Sequence, residues 1–334
     1  MSDMKQTGIM LAGATEAAAR AVQPYSGKME KNKADAAAVE AMRGALNAMD
    51  LKLHVLLGEG EKDKAPMLYS GERLGLQAEA PGTPGLDLVV DPLECTTNFA
   101  RGLPDSLTVL LAAPEGTIQR VPGTYMEQLL VPPAAAELLD EEVNLETPVG
   151  NSIRAIAEAM KMKTDELTVV VQDRPRHKYL LEEIREVGAG VALIDSGSLS
   201  ASFEIMFRPN GRLHVLWGTF GAPEGVVLAF MARAAGCGFL GRVMPHNARA
   251  EREAKELQLE GRTLRHDEFV QGDGVLVMSG VHSSTWLRGV ETLRAGGTVS
   301  HQVQTVVVGL DGMELCLHRD GEFTESNPYR FPSS

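Results

Sequence analysis

The chain has few cysteines and few aromatic side chains. Cys95, Cys237 and Cys316 are an odd number of thiols that lie far apart without paired spacing. This pattern excludes a disulfide-stabilised scaffold and suggests a reducing compartment such as the cytoplasm. Aromatic residues make up 5% of the 334 residues, so aliphatic side chains must form most of the hydrophobic core.

The sequence also lacks an excess of positive charge and a long apolar segment. Lys and Arg number 32 against 45 Asp and Glu, which gives a formal net charge of −13. Duplex nucleic acids are bound through a basic face, so this balance argues against a nucleic-acid partner. No stretch approaches the roughly 18 apolar residues of a membrane-spanning helix, so no membrane partner is expected. Residues 8–19 are interrupted by Glu16 and are interpreted as a first helix, not a secretion signal.

The first half of the chain alternates between helical and strand patterns. Residues 35–49 have helical apolar spacing and good helix formers, and the short apolar run 51–57 follows directly. Two more short aliphatic runs, 86–90 and 107–112, are bounded by turn residues and are typical of buried strands. This half is therefore predicted to be α/β.

The second half contains a clearer β-α-β pattern. An aliphatic strand at 167–171, an amphipathic helix at 179–187 and a strand at 191–194 follow one another, which predicts a parallel strand pair. The remaining predicted elements are a strand at 213–217, a helix from about Glu224 to near Gly236, a strand at 275–278, and a hairpin of 303–308 with 313–317.

The clearest shift in composition predicts where one lobe ends and the next begins. Residues 131–151 mix proline, acidic and small residues, which is typical of a boundary. We therefore expect an N-terminal lobe at 1–150, which carries the acidic loops, and a C-terminal α/β lobe at 151–318. The polar segment 319–334 is expected to be a loosely held tail.

Five acidic residues follow two of the predicted strands of the first lobe. Ligand crevices in open α/β sheets form at the carboxyl ends of the strands, so neighbouring strands would bring these carboxylates together. Oxygen ligands without a His or Cys set at zinc spacing indicate Mg²⁺ or Mn²⁺. The alternative is that each acid only decorates an exposed turn. The five are Glu59, Glu61 and Asp63 after the strand at 51–57, and Asp91 and Glu94 after the strand at 86–90.

A basic loop lies between a strand and a helix of the second lobe. Arg174 and Arg176, with His177 beside them, precede the helix amino terminus, where backbone N–H groups favour a phosphate. An exposed turn carrying two arginines is the alternative. A metal site together with a phosphate site indicates phosphoryl transfer to water. The chain contains no phosphate-binding or dinucleotide-binding glycine-rich motif, so nucleotide hydrolysis and dinucleotide redox chemistry have no support. Three other histidines fall in apolar runs and are interpreted as structural: His54, His214 and His318.

Four segments, in order along the chain, carry a resemblance to a known family. They are LLGEGEKDKAPMLYSGE at 56–72, DLVVDPLECTTN at 87–98, DRPRH at 173–177 and GAPEGVV at 221–227. Together they resemble the class II fructose-1,6-bisphosphatases, which include the bacterial and cyanobacterial fructose/sedoheptulose bisphosphatases. The resemblance implies a layered α/β sandwich of the inositol monophosphatase-like sugar phosphatase type, with two mixed-sheet lobes. It also implies a homo-oligomer.

The resemblance further implies roles for individual residues. Divalent metals would activate a water, oriented by Thr96 and Asp63, for attack on the phosphate, with Lys31 as a further catalytic residue. The metal carboxylates would be Asp35, Glu59, Asp91, Glu94 and Glu224. The substrate-binding residues would be Glu94, Cys95, Thr96, Tyr125, Arg174, Pro175, Arg176, Ser196, Gly197, Ser198 and Gly221.

The sequence departs from the family pattern at several places, including the late S-A-T-G segment, which reads MSGVHSST at 278–285. Cys95 stands where the family has glycine, so this loop either tolerates a side chain or has changed shape. The block G-R-G-D-K-N reads GKMEKN here, with Glu30 in place of the aspartate. The sugar-contacting P-D-G-D motif reads Asp195-Ser196-Gly197-Ser198, so both expected acids are serines.

These features predict a metal-dependent phosphatase of a small-molecule sugar phosphate, with fructose 1,6-bisphosphate favoured and sedoheptulose 1,7-bisphosphate next. The two serines leave open a phosphatase of another small ester, such as an inositol or nucleoside monophosphate. A third alternative is a weakly active paralogue that binds a sugar phosphate, supported by Cys95 and the same serines. Retention of every expected metal ligand argues against this third alternative.

Overall fold

The computed structural model describes residues 3–58, 68–208, 211–295, 298–320 and 322–329. The helices are α1 (Asp3–Ala21), α2 (Lys31–Asn47), α3 (Thr96–Arg101), α4 (Val149–Ala159), α5 (Lys178–Glu186), α6 (Ser198–Phe207), α7 (Ala222–Ala235), α8 (Ala248–Glu256) and α9 (His266–Phe269). The strands are β1 (Lys52–Leu57), β2 (Arg73–Leu74), β3 (Gly85–Glu94), β4 (Leu107–Pro114), β5 (Tyr125–Val131), β6 (Thr168–Gln172), β7 (Gly190–Ile194), β8 (Val215–Gly221), β9 (Gly238–Met244), β10 (Thr263–Arg265), β11 (Val275–Gly280), β12 (Glu291–Ala295), β13 (Thr298–Gly309), β14 (Gly312–Arg319) and β15 (Glu322–Tyr329).

The chain forms two compact units that differ from the predicted lobes. Unit 1 combines residues 1–118 with residues 272–333, and unit 2 is formed by residues 119–271. The expected boundary near residue 150, between lobes 1–150 and 151–318, is therefore not where the units divide. The reason is that β11 returns to pair with β4 in antiparallel register, so the C-terminal strands complete the sheet that the N-terminal segment begins.

Unit 1 is built on one mixed sheet in the order β15-β14-β13-β11-β4-β3-β1-β2, with β12 paired to β13. β1 and β3 are parallel neighbours, as the argument about the acidic loops requires. β13 and β14 form the predicted hairpin. β15 pairs with β14, so the expectation of a loose tail from residue 319 is wrong for the described part of that segment, Glu322–Tyr329. A strand can be held by backbone hydrogen bonds alone, and a polar sequence such as EFTESNPY gives little local signal of it.

Helix α1 packs closely on the sheet of unit 1. Leu11, Ala14 and Ala18 form a buried stripe at helical spacing, and the small side chains of the two alanines allow a short distance between helix and sheet. A Cβ on Gly8 would collide with Val275 and Val307, so glycine is required at this crossing. This region also contains a buried polar network, in which Glu16 accepts hydrogen bonds from Thr305 and His318.

Unit 2 is built on a second mixed sheet in the order β10-β9-β5-β8-β6-β7. β6 is parallel to β7, which confirms the predicted β-α-β unit, and β6 is also parallel to β8. β5 lies between β8 and β9 and is antiparallel to both. α7 ends where Gly236 adopts a left-handed conformation (φ 68°) and closes the helix, close to the predicted end. Among the described residues, no helix is long and apolar enough to cross a membrane.

Two of the histidines interpreted as structural make hydrogen bonds within their own sheets. His54 pairs with the buried carboxylate of Asp87 on the neighbouring strand, at 2.8 Å. His214 accepts the backbone N–H of Thr168 at 2.9 Å, at the edge where β6 begins. These contacts support a structural role for both side chains.

Candidate active site

The carboxyl end of β3 folds into a tight corner before α3 begins. Asp91 accepts the backbone N–H of Leu93 through Oδ1 at 3.0 Å. The hydroxyl of Thr96 lies 2.8 Å from the carbonyl oxygen of Leu93, on the other side of the same corner. Glu94 lies between Asp91 and Thr96 in the sequence, and its side chain is buried. Glu94 is thus buried and Asp91 is hydrogen-bonded within the corner, which argues against the alternative that these two acids merely decorate an exposed turn.

Cys95 adopts the backbone conformation of a glycine. Its φ of 66° and ψ of 38° lie in the left-handed region, and its side chain is only 3% exposed. The loop has therefore kept the backbone shape expected of the family glycine, and it accommodates a thiol. Met29 behaves in the same way, with a φ of 60° at the second glycine position of the G-R-G-D-K-N block. The left-handed conformation is strained for residues other than glycine.

This strain leads to a prediction for substitutions at Cys95. Cys95→Val should lower the free energy of unfolding by about 2 kcal/mol or more, because a β-branched side chain is poorly tolerated at positive φ. Cys95→Gly should be near neutral, because relief of about 1 to 2 kcal/mol of strain offsets the lost burial of the thiol and the greater freedom of the unfolded chain. Urea unfolding measures both. Cys316→Val, at a buried thiol within β14, is the matched control and should cost less than Cys95→Val. Equal losses for Cys95→Val and Cys95→Gly would contradict the argument.

Helix α2 brings Lys31 and Asp35 to the corner that follows β3. α2 contacts both β3 and α3. Burial raises the pKa of Asp35, while the neighbouring hydroxyl of Thr96 and the charge of Lys31 act in the opposite direction. The ammonium of Lys31 donates to Oγ1 of Thr97 at 2.9 Å. The structure therefore groups three predicted site residues: Lys31, Asp35 and Thr96.

The remaining acids predicted for this region are Glu59, Glu61 and Asp63, which lie outside the described residues. The register pairs Leu57 of β1 with Val89 of β3, so both strands reach the same edge of the sheet. That Glu59 lies near Asp91 stays a prediction. Within the described ranges, no three His, Cys, Asp or Glu side chains are close enough together to hold a metal ion.

In unit 2, the loop after β6 holds its two arginines through backbone and side-chain contacts. Arg176 donates to the carbonyl oxygen of Thr219 from Nε at 3.1 Å and from Nη2 at 2.7 Å. Its guanidinium lies 4.8 Å from the centre of the Tyr125 ring. Burial is the largest cause that lowers the pKa of Arg176. Tyr125 acts in the opposite direction, and the nearby charge of Arg174 lowers the pKa further. The structure thus brings together the predicted substrate residues Tyr125, Arg174 and Arg176, with Pro175 between the arginines.

The loop that carries Ser196 and Ser198 is hydrogen-bonded to the loop that carries Arg174 and Arg176. Nη2 of Arg174 donates to the carbonyl oxygen of Asp195 at 2.8 Å, and the side chain of Gln172 reaches the same oxygen at 3.3 Å. Gly197 precedes α6 with a φ of 84°, and Ser198 is the buried first residue of that helix. Ser196 and Gly197 therefore follow directly on a residue that Arg174 binds.

Gly221 and Glu224 lie where β8 passes into α7. Gly221 pairs with Tyr125 in the β5–β8 register, and its carbonyl oxygen accepts from Gln128 at 2.9 Å. A Cβ on Gly221 would collide with the carboxylate of Glu224, which folds back over the first turn of α7. Burial raises the pKa of Glu224. Glycine is therefore required beside this carboxylate.

The sequence argument missed a hydrogen-bonded chain beside Tyr125. The ring of His246 lies 5.3 Å from the Tyr125 ring in an edge-to-face arrangement. Nδ1 of His246 is 2.9 Å from the hydroxyl of Thr124, which donates to the carbonyl oxygen of Met244 at 2.9 Å. Asn247 donates to the other ring nitrogen of His246 at 2.9 Å. No motif in the sequence points to His246, because its position follows from the pairing of β5 with β9.

The family model for bacterial fructose-1,6-bisphosphatases encoded by glpX matches residues 5–310. The chain belongs to this family. It is 39% identical over 248 residues to a protein of Synechococcus elongatus named "D-fructose 1,6-bisphosphatase class 2/sedoheptulose 1,7-bisphosphatase", which covers 72% of this chain and 70% of the relative. A protein of the same name from another Synechococcus strain is 33% identical over 327 residues, or 90% of this chain and 93% of the relative.

Membership of this class II family confirms the resemblance and identifies the chain as a phosphoric monoester hydrolase with an α/β fold of two mixed sheets. The family also implies a divalent metal cofactor. The residues of unit 1 suit such an ion, because Oδ1 of Asp35 is buried and has no hydrogen-bond partner among the described residues. A buried carboxylate oxygen without a donor is costly unless it meets a cation.

Proposed function

We propose that this enzyme hydrolyses a phosphate ester of a sugar bisphosphate, with fructose 1,6-bisphosphate as the favoured substrate and sedoheptulose 1,7-bisphosphate as the next. The observation that carries the proposal is the grouping of Lys31 and Thr96 around the half-buried carboxylate of Asp35, within a chain of this family. A partly buried acid, a cation and a hydroxyl at one corner are the groups that hydrolysis of a phosphate ester by water requires.

The division of labour we propose follows from the chemistry of each group. A bound Mg²⁺ or Mn²⁺ would supply charge stabilisation and a water of lowered pKa. Asp35, Glu59, Asp91, Glu94 and Glu224 are the proposed metal carboxylates. Thr96 and Asp63 orient the attacking water, and Lys31 adds positive charge to the same corner.

Substrate recognition is assigned to the loops of unit 2 and to the corner after β3. Arg174 and Arg176 bind a phosphate group through N–H donors of fixed geometry. Tyr125 supports the Arg176 guanidinium from one face. The other residues proposed to contact substrate are Glu94, Cys95, Thr96, Pro175, Ser196, Gly197, Ser198 and Gly221.

Ser196 and Ser198 favour a second candidate for the substrate. An aspartate accepts charge-assisted hydrogen bonds from sugar hydroxyls, whereas a serine is shorter and uncharged. A phosphatase of another small ester, such as an inositol or nucleoside monophosphate, would not need those acids. The chemistry is the same in both candidates, and only the substrate differs.

The test is phosphate release from a panel of sugar bisphosphates, sugar monophosphates, inositol monophosphate and nucleoside monophosphates, with Mg²⁺ and with Mn²⁺. We expect the highest kcat/KM for a ketose bisphosphate. A higher value for inositol or nucleoside monophosphates would replace the first candidate by the second. Binding of fructose 1,6-bisphosphate without phosphate release from any substrate would overturn the proposed function and leave the weakly active paralogue.

Restoring the family acids tests the role of the serine loop. The double variant Ser196→Asp, Ser198→Asp should raise kcat/KM for fructose 1,6-bisphosphate by a factor equivalent to about 1 to 3 kcal/mol, if each contact resembles a hydrogen bond to a charged group. If Asp195 has taken over part of this role, Asp195→Asn should instead lower activity. Arg174 binds the backbone carbonyl of Asp195, so this variant removes the side-chain charge and keeps that contact. No gain from the double variant together with a silent Asp195→Asn would show that this loop does not contact the sugar.

The biological setting is also part of the proposal. Three buried cysteines and a sugar bisphosphate substrate are consistent with a cytoplasmic enzyme of carbohydrate metabolism, such as gluconeogenesis. Assembly into a homo-oligomer is expected from the family resemblance, and size-exclusion chromatography with light scattering measures it.

A further inference from the structure

An imidazole bridges the strands β6 and β8 of unit 2. These strands are parallel, and their register pairs Val169 with Val215 and Val170 with Leu216. Further along, Nδ1 of His177 lies 2.7 Å from the carbonyl oxygen of Gln172 in β6, and Nε2 accepts the backbone N–H of Thr219 in β8 at 2.8 Å. His177 is 3% exposed. Its ring thus spans the two strands at the end where they approach the arginine loop.

The partners of His177 determine its protonation state. A carbonyl oxygen can only accept, so Nδ1 must carry the proton that it donates to Gln172. A backbone N–H can only donate, so Nε2 must carry a lone pair. His177 is therefore the neutral Nδ1–H tautomer. Burial is the largest cause that lowers the pKa of His177, and the charges of Arg176 and Arg174 act in the same direction.

Gly218 provides the space for this ring. A Cβ at Gly218 would lie 3.1 Å from Nε2 and 3.3 Å from Cε1 of His177, closer than an ordinary van der Waals contact. Phe220 closes the same space, with an atom 3.2 Å from that Cβ position. The strand β8 thus has a residue without a side chain directly beside the imidazole.

Arg176 binds the same two residues that His177 bridges. Its Nε and Nη2 donate to the carbonyl oxygen of Thr219, and Nη2 also donates to Oε1 of Gln172 at 2.8 Å. Arg176 and His177, which are consecutive in the loop, therefore both form hydrogen bonds with Gln172 of β6 and Thr219 of β8. If the separation of Gln172 and Thr219 changed, the two acceptors of the Arg176 guanidinium would no longer lie at the positions that it needs.

We propose that His177 is a positioning residue, whose imidazole holds Gln172 and Thr219 at the separation that orients Arg176 for the substrate phosphate. This inference rests on the proposed function, because it takes Arg176 to bind phosphate. It does not place His177 in contact with substrate. Its action passes through the backbone of Thr219 and through Gln172.

The test compares His177→Asn and His177→Gln with wild-type enzyme. The amide group of asparagine can replace only the donor to Gln172, and the carbonyl group of glutamine can replace only the acceptor for Thr219. Each variant therefore loses one of the two hydrogen bonds of His177. Each should raise KM for fructose 1,6-bisphosphate about tenfold, which corresponds to about 1.4 kcal/mol. kcat should fall less than KM rises. His214→Asn is the matched control, because His214 accepts a backbone N–H at the other end of β6 and makes no contact with Arg176 among the described residues. It should leave KM within twofold.

A double-mutant cycle shows whether His177 acts through Arg176. The effects of His177→Asn and Arg176→Lys on kcat/KM should be strongly non-additive, since both disturb one set of contacts. Effects that multiply, or a folded His177→Asn enzyme with unchanged KM, would overturn the inference. If neither histidine variant folds, Gly218→Ala decides, because it crowds the ring without removing a hydrogen-bonding group. Gly218 also has a φ of 155°, which alanine rarely adopts, so Gly312→Ala, at a φ of 138° in β14, is the control for backbone strain and should leave KM unchanged. We expect a raised KM for Gly218→Ala, and an unchanged KM would overturn the inference.

Two readouts separate this inference from the proposed function. ¹⁵N–¹H spectra of the wild-type histidines should show His177 as the Nδ1–H tautomer, whatever the substrate. Titration with inorganic phosphate should show weaker binding to His177→Asn than to wild-type protein. If no sugar bisphosphate is hydrolysed but both results hold, the proposed substrate fails and the positioning role stands. A protonated Nε2 or equal phosphate affinities would overturn the role of His177 itself.

Discussion

Asp91→Asn is expected to abolish phosphate release while leaving the protein folded. The substitution removes one negative charge from the proposed metal carboxylates at nearly constant volume. Asparagine retains Oδ1, so it can still accept the Leu93 N–H that Asp91 accepts at 3.0 Å, and the corner after β3 should keep its shape. We expect a loss in kcat of about 10³-fold or more, which corresponds to about 4 kcal/mol of lost transition-state stabilisation.

The strand that carries Asp91 also supplies its control. Asp87 lies on β3 too, is buried, and binds His54 and the backbone N–H of Gly116, at 2.8 and 2.7 Å. Asp87→Asn should therefore lower the free energy of unfolding and leave kcat close to wild type. Treatment of the wild-type enzyme with excess chelator should reproduce the Asp91→Asn result. Phosphate release that persists in excess chelator would show that the proposed metal chemistry is wrong.

Thr96→Val is expected to lower kcat by about 10²-fold and to change KM little. The reason is that a hydroxyl that orients the attacking water stabilises mainly the transition state. The hydroxyl of Thr96 lies at hydrogen-bonding distance from Leu93 and interacts with the carboxylate of Asp35. Valine keeps the shape and removes both contacts. Thr96→Ser keeps the hydroxyl and is the matched control, so it should recover most of the activity.

Asp63 is predicted to act with Thr96 on the same water. Asp63→Asn should also lower kcat much more than it changes KM. Combined with Thr96→Val, it should cost little beyond the larger single loss, since groups that act as a unit give non-additive effects. Steady-state phosphate release by the two single variants and the double variant measures the coupling. A double loss equal to the product of the single losses would show that the two residues act independently.

The elements with a local signature could be predicted from the sequence. The helix at 35–49, the β-α-β unit at 167–194 and the hairpin of β13 and β14 all appear in the structure. The parallel pairing of β1 with β3 also agrees with the argument from the acidic loops. Some candidate site residues were proposed because acids follow strands and arginines precede a helix, and the others, such as Lys31, Asp35 and Glu224, only because of the family resemblance. The roles of all these residues stay predictions, and Glu59 and Asp63 also lie outside the described residues.

The sequence by itself determined the family and the α/β class and suggested candidate site residues, because motifs and hydrophobic periodicity are local along the chain. Only the tertiary structure decided that unit 1 is discontinuous, since the pairing of β11 with β4 joins residues more than 150 positions apart in the chain. It also decided that Cys95 keeps a left-handed backbone and that His177 bridges β6 and β8. Neither has a sequence signature, because a backbone angle and a pair of main-chain partners depend on how distant strands are arranged.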